Sequence, residues 1–277
     1  NGIFECLEKG AEYIHWDEKR KAYQNQTGDI RRGVGMALFS YKTGVWPISL
    51  EIAGARLSLN QDGSVQLQVG ATEIGQGADT VFSQMAAETL HMDISRAHIV
   101  TQQDTDVTPF DTGAYASRQS FVTGTAVKEC AQQLKQKILE YARTLVPGNV
   151  DRLELEDGYI LADGKPAISL EDLAMESYYS LSNSSVLTAE VSRQVKKNTV
   201  ASGCCFAEVE VDMKLGKIKV LDIVNVHDSG TLLNPQLAAM QVHGGMFMGI
   251  GYGVSEQLLI DEKTGRPLNG TLLDYKL

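Results

Sequence analysis

Residues 55–90 read ARLSLNQDGSVQLQVGATEIGQGADTVFSQMAAETL. Ala55, Leu57 and Leu59 alternate with other residues, and Val65, Leu67 and Val69 do the same. Asp62-Gly63 lies between the two runs and supplies the positive φ angles of a tight turn, so this stretch predicts a β-hairpin. A glycine-rich loop follows, Gly70 to Gly77. Ala78, Val81, Phe82, Met85, Ala86 and Leu90 then fall on one stripe of a helix. A hairpin that hands its apolar face to the next helix predicts an α+β fold.

Outward from this stretch the pattern continues. Ile3, Leu7, Ala11 and Ile14 have helical spacing, and residues 15–32 read as a helix end and surface loop leading to Gly33-Val34-Gly35. A short strand is expected at 98–101, then an irregular acidic loop from Asp104 to Gly113. Residues 121–142 predict a long helix with Val127, Ala131, Leu134, Ile138 and Tyr141 inward. Pro147-Gly148-Asn149 breaks the chain, and Asp157-Gly158 marks another hairpin. Ser169-Leu170-Glu171-Asp172 has the spacing of a capping box. Ala207, Val209, Val211 and Met213 alternate, Gly216 turns, and Ile218, Val220, Ile223, Val224 and Val226 give a second, more buried strand. Asn234-Pro235 is a strong helix start, with asparagine as the cap and proline at the first helical position.

The order hairpin, loop, helix thus occurs twice. The fold class read from this is α+β, with β-hairpins and mixed sheets packed with helices. Four segments are expected. They are an N-terminal helix and loop (1–32), a first α+β subdomain (33–146), a connecting hairpin and helix region (147–195), and a second α+β segment (196–277).

The 277 residues carry a formal net charge of −10, with 43% hydrophobic and 22% charged residues. Such a balance argues against a main role in nucleic-acid binding, which needs cations against phosphate. The four cysteines, Cys6, Cys130, Cys204 and Cys205, form no C-x-x-C pair and no disulfide framework, and thiols fit a reducing cytoplasm. No apolar run reaches the roughly 18 residues of a membrane span. His227 and His243 lack metal-ligand spacing, and adjacent Cys204 and Cys205 cannot easily share one ion.

Three places could carry chemistry. Gly75-Gln76-Gly77 sits before a helix whose first N–H groups attract anions. Glycine lets a ligand approach its backbone, and Gln76 would offer an amide that donates and accepts. No third glycine completes a dinucleotide fingerprint, because Thr80 stands there. The alternative is a tight turn that packs helix on sheet. Gly113-Ala114-Tyr115-Ala116-Ser117-Arg118-Gln119-Ser120 also precedes a helix, and resembles a pyrophosphate cradle in which Arg118 contacts phosphate. The alternative is a capped helix start with Arg118 paired to Asp104, Asp106 or Asp111. The third place is the glycine stripe Gly245, Gly249 and Gly253, with Gly244 and Gly251 beside it. It suits close packing against another backbone, or a ligand.

These motifs, taken in order, resemble the molybdenum-binding subunit of the xanthine dehydrogenase family of molybdenum hydroxylases, in the bacterial form with a separate molybdenum subunit. Asp62-Gly63-Ser64-Val65 leads into Gly70 to Gly77. Asp104-Thr105-Asp106 and Pro109 precede Ala116 to Ser120. Asp228-Ser229-Gly230, Asn234-Pro235, Gln241-Val242-His243-Gly244, Gly249-Ile250-Gly251 and Asp274-Tyr275-Lys276 follow. The resemblance covers roughly residues 33–277.

It implies hydroxylation of a purine (xanthine or hypoxanthine) with oxygen from water. The cofactor implied is molybdopterin carrying molybdenum, in the cytosine dinucleotide form. The 2Fe–2S clusters and FAD are expected on partner subunits of a hetero-oligomer. Gly75, Gln76, Gly77, Ala116, Ser117, Arg118 and Gln119 are the implied cofactor contacts. Ala116 is the small residue beside the metal without being a ligand. Met248 stands where eukaryotic relatives carry a glutamine.

The family's catalytic glutamate, in a Gly-Glu-Pro-Pro motif, is expected beyond Leu277, and the family's substrate arginine before residue 1. The chain therefore reads as part of a larger subunit and is expected to be inactive alone. Other readings are a natively split subunit of a nicotinate dehydrogenase-like or aldehyde oxidoreductase-like hydroxylase, and a non-catalytic assembly module.

Overall fold

A computed structural model describes residues 2–277. The chain begins with α1 (Gly2–Tyr13), α2 (Trp16–Ala22), β1 (Ile30–Thr43), β2 (Ile52–Leu59), β3 (Val65–Val69), α3 (Ala78–Leu90) and β4 (Ala97–Ile99). It continues with α4 (Gln119–Leu145), β5 (Leu153–Glu156), β6 (Tyr159–Ala162), β7 (Lys165–Ser169), α5 (Leu170–Tyr179), β8 (Thr188–Gln194), β9 (Thr199–Asp212), β10 (Lys217–Asp228) and α6 (Pro235–Val254). Two compact units result: residues up to Tyr41 with Val200–Leu277, and Lys42–Thr199.

The Lys42–Thr199 unit is organised by the hairpin. Ala55 pairs with Val69, Leu57 with Leu67 and Leu59 with Val65, so their side chains share one face. All six are buried. The turn closes through Gly63, at φ 73°, and through Asp62, whose carboxylate accepts from the Ser64 N–H at 2.9 Å. β8 extends the sheet antiparallel to β2, and β4 adds in parallel to β3, giving the order β4-β3-β2-β8. The expected mixed sheet is therefore present.

α3 and α4 cover its apolar face. Phe82, Ala86 and Leu90 from α3, and Val127, Ala131, Leu134 and Ile138 from α4, join the hairpin residues in one core. Each large aliphatic side chain buried there stabilises the unit by about 1.5–3 kcal/mol. Gly124 lets the two helices approach, since a Cβ there would lie 2.7 Å from the Met85 sulfur.

β5, β6 and β7 form a meander that turns at Asp157-Gly158 and Asp163-Gly164, with all four residues at positive φ. Ser169 caps α5 by accepting from the Asp172 N–H at 3.0 Å, as its spacing predicts. Leu153, Leu155 and Ile160 belong to the same core as α4. Residues 147–195, expected as a connecting region, lie within the Lys42–Thr199 unit.

In the other unit, β9 lies between β1 and β10. α1 and the start of α2 lie over this sheet, where Cys6, Ile14, Val34, Cys204 and Phe206 form a small core. Trp16 meets Phe206 edge-on at 5.6 Å. Gly10 is needed there, because a Cβ would fall 2.3 Å from the Phe206 ring. Glu208 receives hydrogen bonds from Lys19 at 2.7 Å and Tyr23 at 2.5 Å. α2 and the first residues of β1 occupy the stretch 15–32 read as a helix end and loop, and β9 starts at Thr199, ahead of its alternating residues.

Asn234 caps α6 by accepting from the Leu237 N–H at 3.0 Å, as expected. Of the two readings of the glycine stripe, packing against another backbone is not seen. Gly244, Gly245, Gly249 and Gly253 have nothing within 4 Å of where a Cβ would stand, so no described backbone lies against them. Among the described residues no helix is long and apolar enough to cross a membrane.

Candidate functional site

Both loops singled out by sequence lie in the Lys42–Thr199 unit. The first leaves β3 at Gly70, where a Cβ would meet the Pro109 carbonyl oxygen at 2.1 Å, so only glycine passes. Gly75 and Gly77 hold φ 97° and 86°, which lets the chain turn sharply into α3.

The free N–H groups at the start of α3 already have an anion. The Glu73 carboxylate accepts from Gly75 N at 2.7 Å, Gly77 N at 3.0 Å and Asp79 N at 3.0 Å. Burial works against its charge, but the N–H groups of Asp79, Gly77 and Gly75 outweigh burial and lower its pKa. The expectation that this helix start holds an external anion therefore meets a finding: the chain's own carboxylate fills it.

Gln76 is half-buried and its amide is engaged at both ends. Its oxygen accepts from Ile74 N at 2.7 Å. Its nitrogen donates to the Thr72 carbonyl at 3.0 Å and to the Gln119 side-chain oxygen at 2.5 Å. Gln119, buried at the first turn of α4, donates in turn to the Thr72 carbonyl at 3.1 Å. The structure thus joins the two loops through two of the expected site residues.

The second loop turns through two left-handed residues, Ala116 at φ 49° and Ser117 at φ 51°. Neither is glycine, and such a conformation costs about 1–3 kcal/mol at each position and persists only where the surroundings impose it. They do so here. The Ala116 carbonyl accepts from Gly44 N at 2.8 Å, and Arg118 N donates to the Tyr115 carbonyl at 3.2 Å. Ser117 remains exposed at the surface. Neither α3 nor α4 is capped by the side chain of its own N-cap residue; α3 differs in having the Glu73 carboxylate on its first N–H groups.

Arg118 faces the other way. Its side chain is fully buried. Nε donates to Glu51 at 2.5 Å, Nη1 to Asp111 at 2.6 Å and to the Gly113 carbonyl at 3.0 Å, and Nη2 to the Ile52 carbonyl at 2.8 Å. Burial works against its charge, yet Glu51 and Asp111 outweigh burial and raise its pKa. Of the two readings left open by sequence, the pairing with Asp111 is the one observed. Four of the five guanidinium N–H groups are engaged within the chain and the side chain is fully buried, which speaks against the phosphate contact. Asp104 and Asp106 are not its partners; the Asp104 carboxylate accepts from Asp106 N at 2.9 Å.

Sequence reasoning missed Glu51, Glu73 and Thr72 as organisers of the site. Glu73 stands directly before the Gly-Gln-Gly turn, and its nearness to three small-residue N–H groups was the available signal. Among the described residues no group of three or more His, Cys, Asp or Glu could hold a metal ion. What the site offers outward is the open tip at Gly75, with nothing within 4 Å of a Cβ position, the left-handed pair 116–117, and the uncapped start of α4. This close-approach surface fits a polar organic cofactor.

Comparison with known proteins agrees. Residues 9–277 match the family described as molybdopterin cofactor-binding domain. The chain is 50% identical, over its full length, to the putative xanthine dehydrogenase molybdenum-binding subunit XdhA of Escherichia coli K12. It is 31% identical over 98% of its length to the probable hypoxanthine oxidase XdhD of the same organism. It spans 37% of the first of these relatives and 27% of the second. Its fold matches quinoline 2-oxidoreductase from Pseudomonas putida 86 with a TM-score of 0.85, covering 98% of this chain and 36% of that one at 22% identity. Through the match over residues 9–277, on a fold whose two glycine- and serine-bearing loops meet at Gln76 and Gln119, the chain belongs to the molybdopterin cofactor-binding domain family.

Proposed function

We propose that the chain forms part of the molybdenum-binding subunit of a purine hydroxylase of the xanthine dehydrogenase type. The observation that carries this is the Gln76–Gln119 bond, which makes one surface from two loops far apart in sequence. In this reading Gly75, Gln76, Gly77, Ala116, Ser117 and Gln119 hold molybdopterin. Gly75 and Gly77 admit it to the backbone. Ala116 leaves room beside the metal, and Ser117 with the α4 start donates hydrogen bonds to the cofactor's oxygens.

When bound, the molybdenum cofactor supplies hydroxylation of an electron-poor heterocycle carbon with oxygen from water and removes two electrons. The chain's own groups orient the cofactor and exclude water behind it. No residue here is assigned as the catalytic base. The xanthine or hypoxanthine substrate rests on the 50% identity to the Escherichia coli subunit. The cytosine dinucleotide form, partner subunits bearing 2Fe–2S and FAD, and a cytoplasmic hetero-oligomer complete the proposal. Four free thiols suit that compartment.

The test is cofactor content of the complete molybdenum subunit in its native complex. Gln76→Ala and Ser117→Val should each lower molybdenum and pterin per subunit, by roughly tenfold if a bond worth about 1.4 kcal/mol is lost. Unchanged content in both variants overturns the assignment.

A further inference from the structure

Arg118 is the largest fully buried side chain in the molecule's described residues and sits in the middle of the cofactor loop. Its partners account for three directions of the guanidinium plane. Nε meets Glu51, Nη1 meets Asp111 and the Gly113 carbonyl, and Nη2 meets the Ile52 carbonyl. One cation between two carboxylates leaves no net positive charge for a phosphate. The partners are themselves held. Glu51 accepts from Val45 N at 2.5 Å, Asp111 accepts from the Thr123 hydroxyl at 2.7 Å, and Asp111 bridges to Ala53 on β2.

The segment between Asp111 and Arg118 is therefore closed at its base. Inside it lie Gly113 at φ 126° and the left-handed pair Ala116 and Ser117. A pair of strained non-glycine residues persists only where the surroundings over-determine it. Arg118 ties Gly113, Asp111 and the start of α4 to one plane, and thereby sets the only path the intervening residues can take.

We infer that Arg118 is a positioning residue. Through Glu51, Asp111 and Gly113 it holds Ala116 and Ser117 in the conformation that meets the cofactor, and it does not contact the cofactor's phosphates. This rests on the reading above that the loop binds molybdopterin.

The two roles for Arg118 respond oppositely to substitution. A phosphate contact tolerates lysine, and strengthens when a competing carboxylate is neutralised. A planar clamp is broken by lysine, whose N–H groups radiate from one nitrogen and do not span the edges of a guanidinium plane, and is weakened by Glu51→Gln.

The experiment uses the complete molybdenum subunit in its native complex. It measures molybdenum and pterin content, and hydrogen–deuterium exchange across 111–121 with and without cofactor. Arg118→Lys and Glu51→Gln should both lower cofactor content and both speed exchange in the cofactor-free protein by about tenfold or more, with the double variant no worse than either alone. Retained content in Arg118→Lys together with raised content in Glu51→Gln overturns the inference. Should either variant fail to fold, Thr123→Val removes one bond to Asp111 and leaves the ions in place. It should speed exchange in 111–118 roughly threefold, and unchanged exchange there overturns the clamp. If cofactor gives no protection at 72–77 and 113–120 in the wild type, the cofactor assignment fails, while the clamp still stands or falls on the cofactor-free exchange.

Discussion

Gln76 donates its side-chain N–H to the side-chain oxygen of Gln119 at 2.5 Å, and both amides also donate to the Thr72 carbonyl. Two neutral side chains thus join a strand-to-helix turn to the first turn of a different helix. Replacing Gln119 by alanine leaves the Gln76 side-chain nitrogen with one partner, the Thr72 carbonyl, and should cost about 1–3 kcal/mol. Gln119→Glu should cost more, because a carboxylate then faces the Thr72 carbonyl. Urea denaturation of the intact molybdenum subunit measures both, and equal midpoints for the two variants contradict the arrangement.

Glu73 makes the start of α3 pH-sensitive. Its pKa lies below the ordinary 4.5 in the folded chain, because three backbone N–H groups bind its charged form. A lowered folded-state value means that this contribution is fully present above pH 4.5 and is lost as pH falls through the folded value. Glu73→Gln should remove about 1–2 kcal/mol at pH 7 and flatten the acid limb of the stability curve. Chemical denaturation from pH 7 to pH 3 checks it; an acid limb identical to wild type rules out the assignment.

Gly70 and Gly124 are both closely approached, but by different kinds of neighbour. A Cβ at Gly70 meets a backbone oxygen at 2.1 Å, and one at Gly124 meets the flexible end of Met85 at 2.7 Å. Gly70→Ala should destabilise by about 3 kcal/mol or more. Gly124→Ala should be near neutral, since the helix gains about 1 kcal/mol and Met85 can turn aside. Thermal midpoints of the two variants decide; similar losses in both would show that Met85 cannot move.

The 277 residues span 37% of the Escherichia coli relative. If the proposed function holds, xanthine-dependent reduction of an artificial electron acceptor should be seen with the complete subunit in its complex and not with the 277-residue chain by itself. Steady-state turnover by the purified 277-residue chain is the contrary result.

The hairpin at 55–69, the stripe of α3, the Ser169 cap and the Asn234-Pro235 start were legible because each is a local pattern with a local cause. β1 was not. Only Val34 of its residues is buried, so no alternation marks Ile30–Thr43 as a strand. α2 is a polar segment of 7 residues held by Lys19 and by the flanking Trp16 and Tyr23, contacts made with β9 far along the chain. The two loops were legible as glycine- and serine-bearing helix starts, but the direction of Arg118 was not. Its choice between solvent and core depends on Glu51, 67 positions earlier. A charged residue in a loop reads as a surface group until its distant partner is known.

The carboxylate that fills the α3 start has a further consequence. A tethered group competes at an effective concentration of millimolar or higher, without leaving the molecule. Sulfate or phosphate in a buffer has little leverage at Gly75, Gly77 and Asp79. The start of α4 carries no such built-in competitor. An effect of dissolved anions on these two loops is therefore a report from the neighbourhood of Ser117 and Ser120, and the two helix starts, so alike in sequence, act as a silent channel and a responsive one.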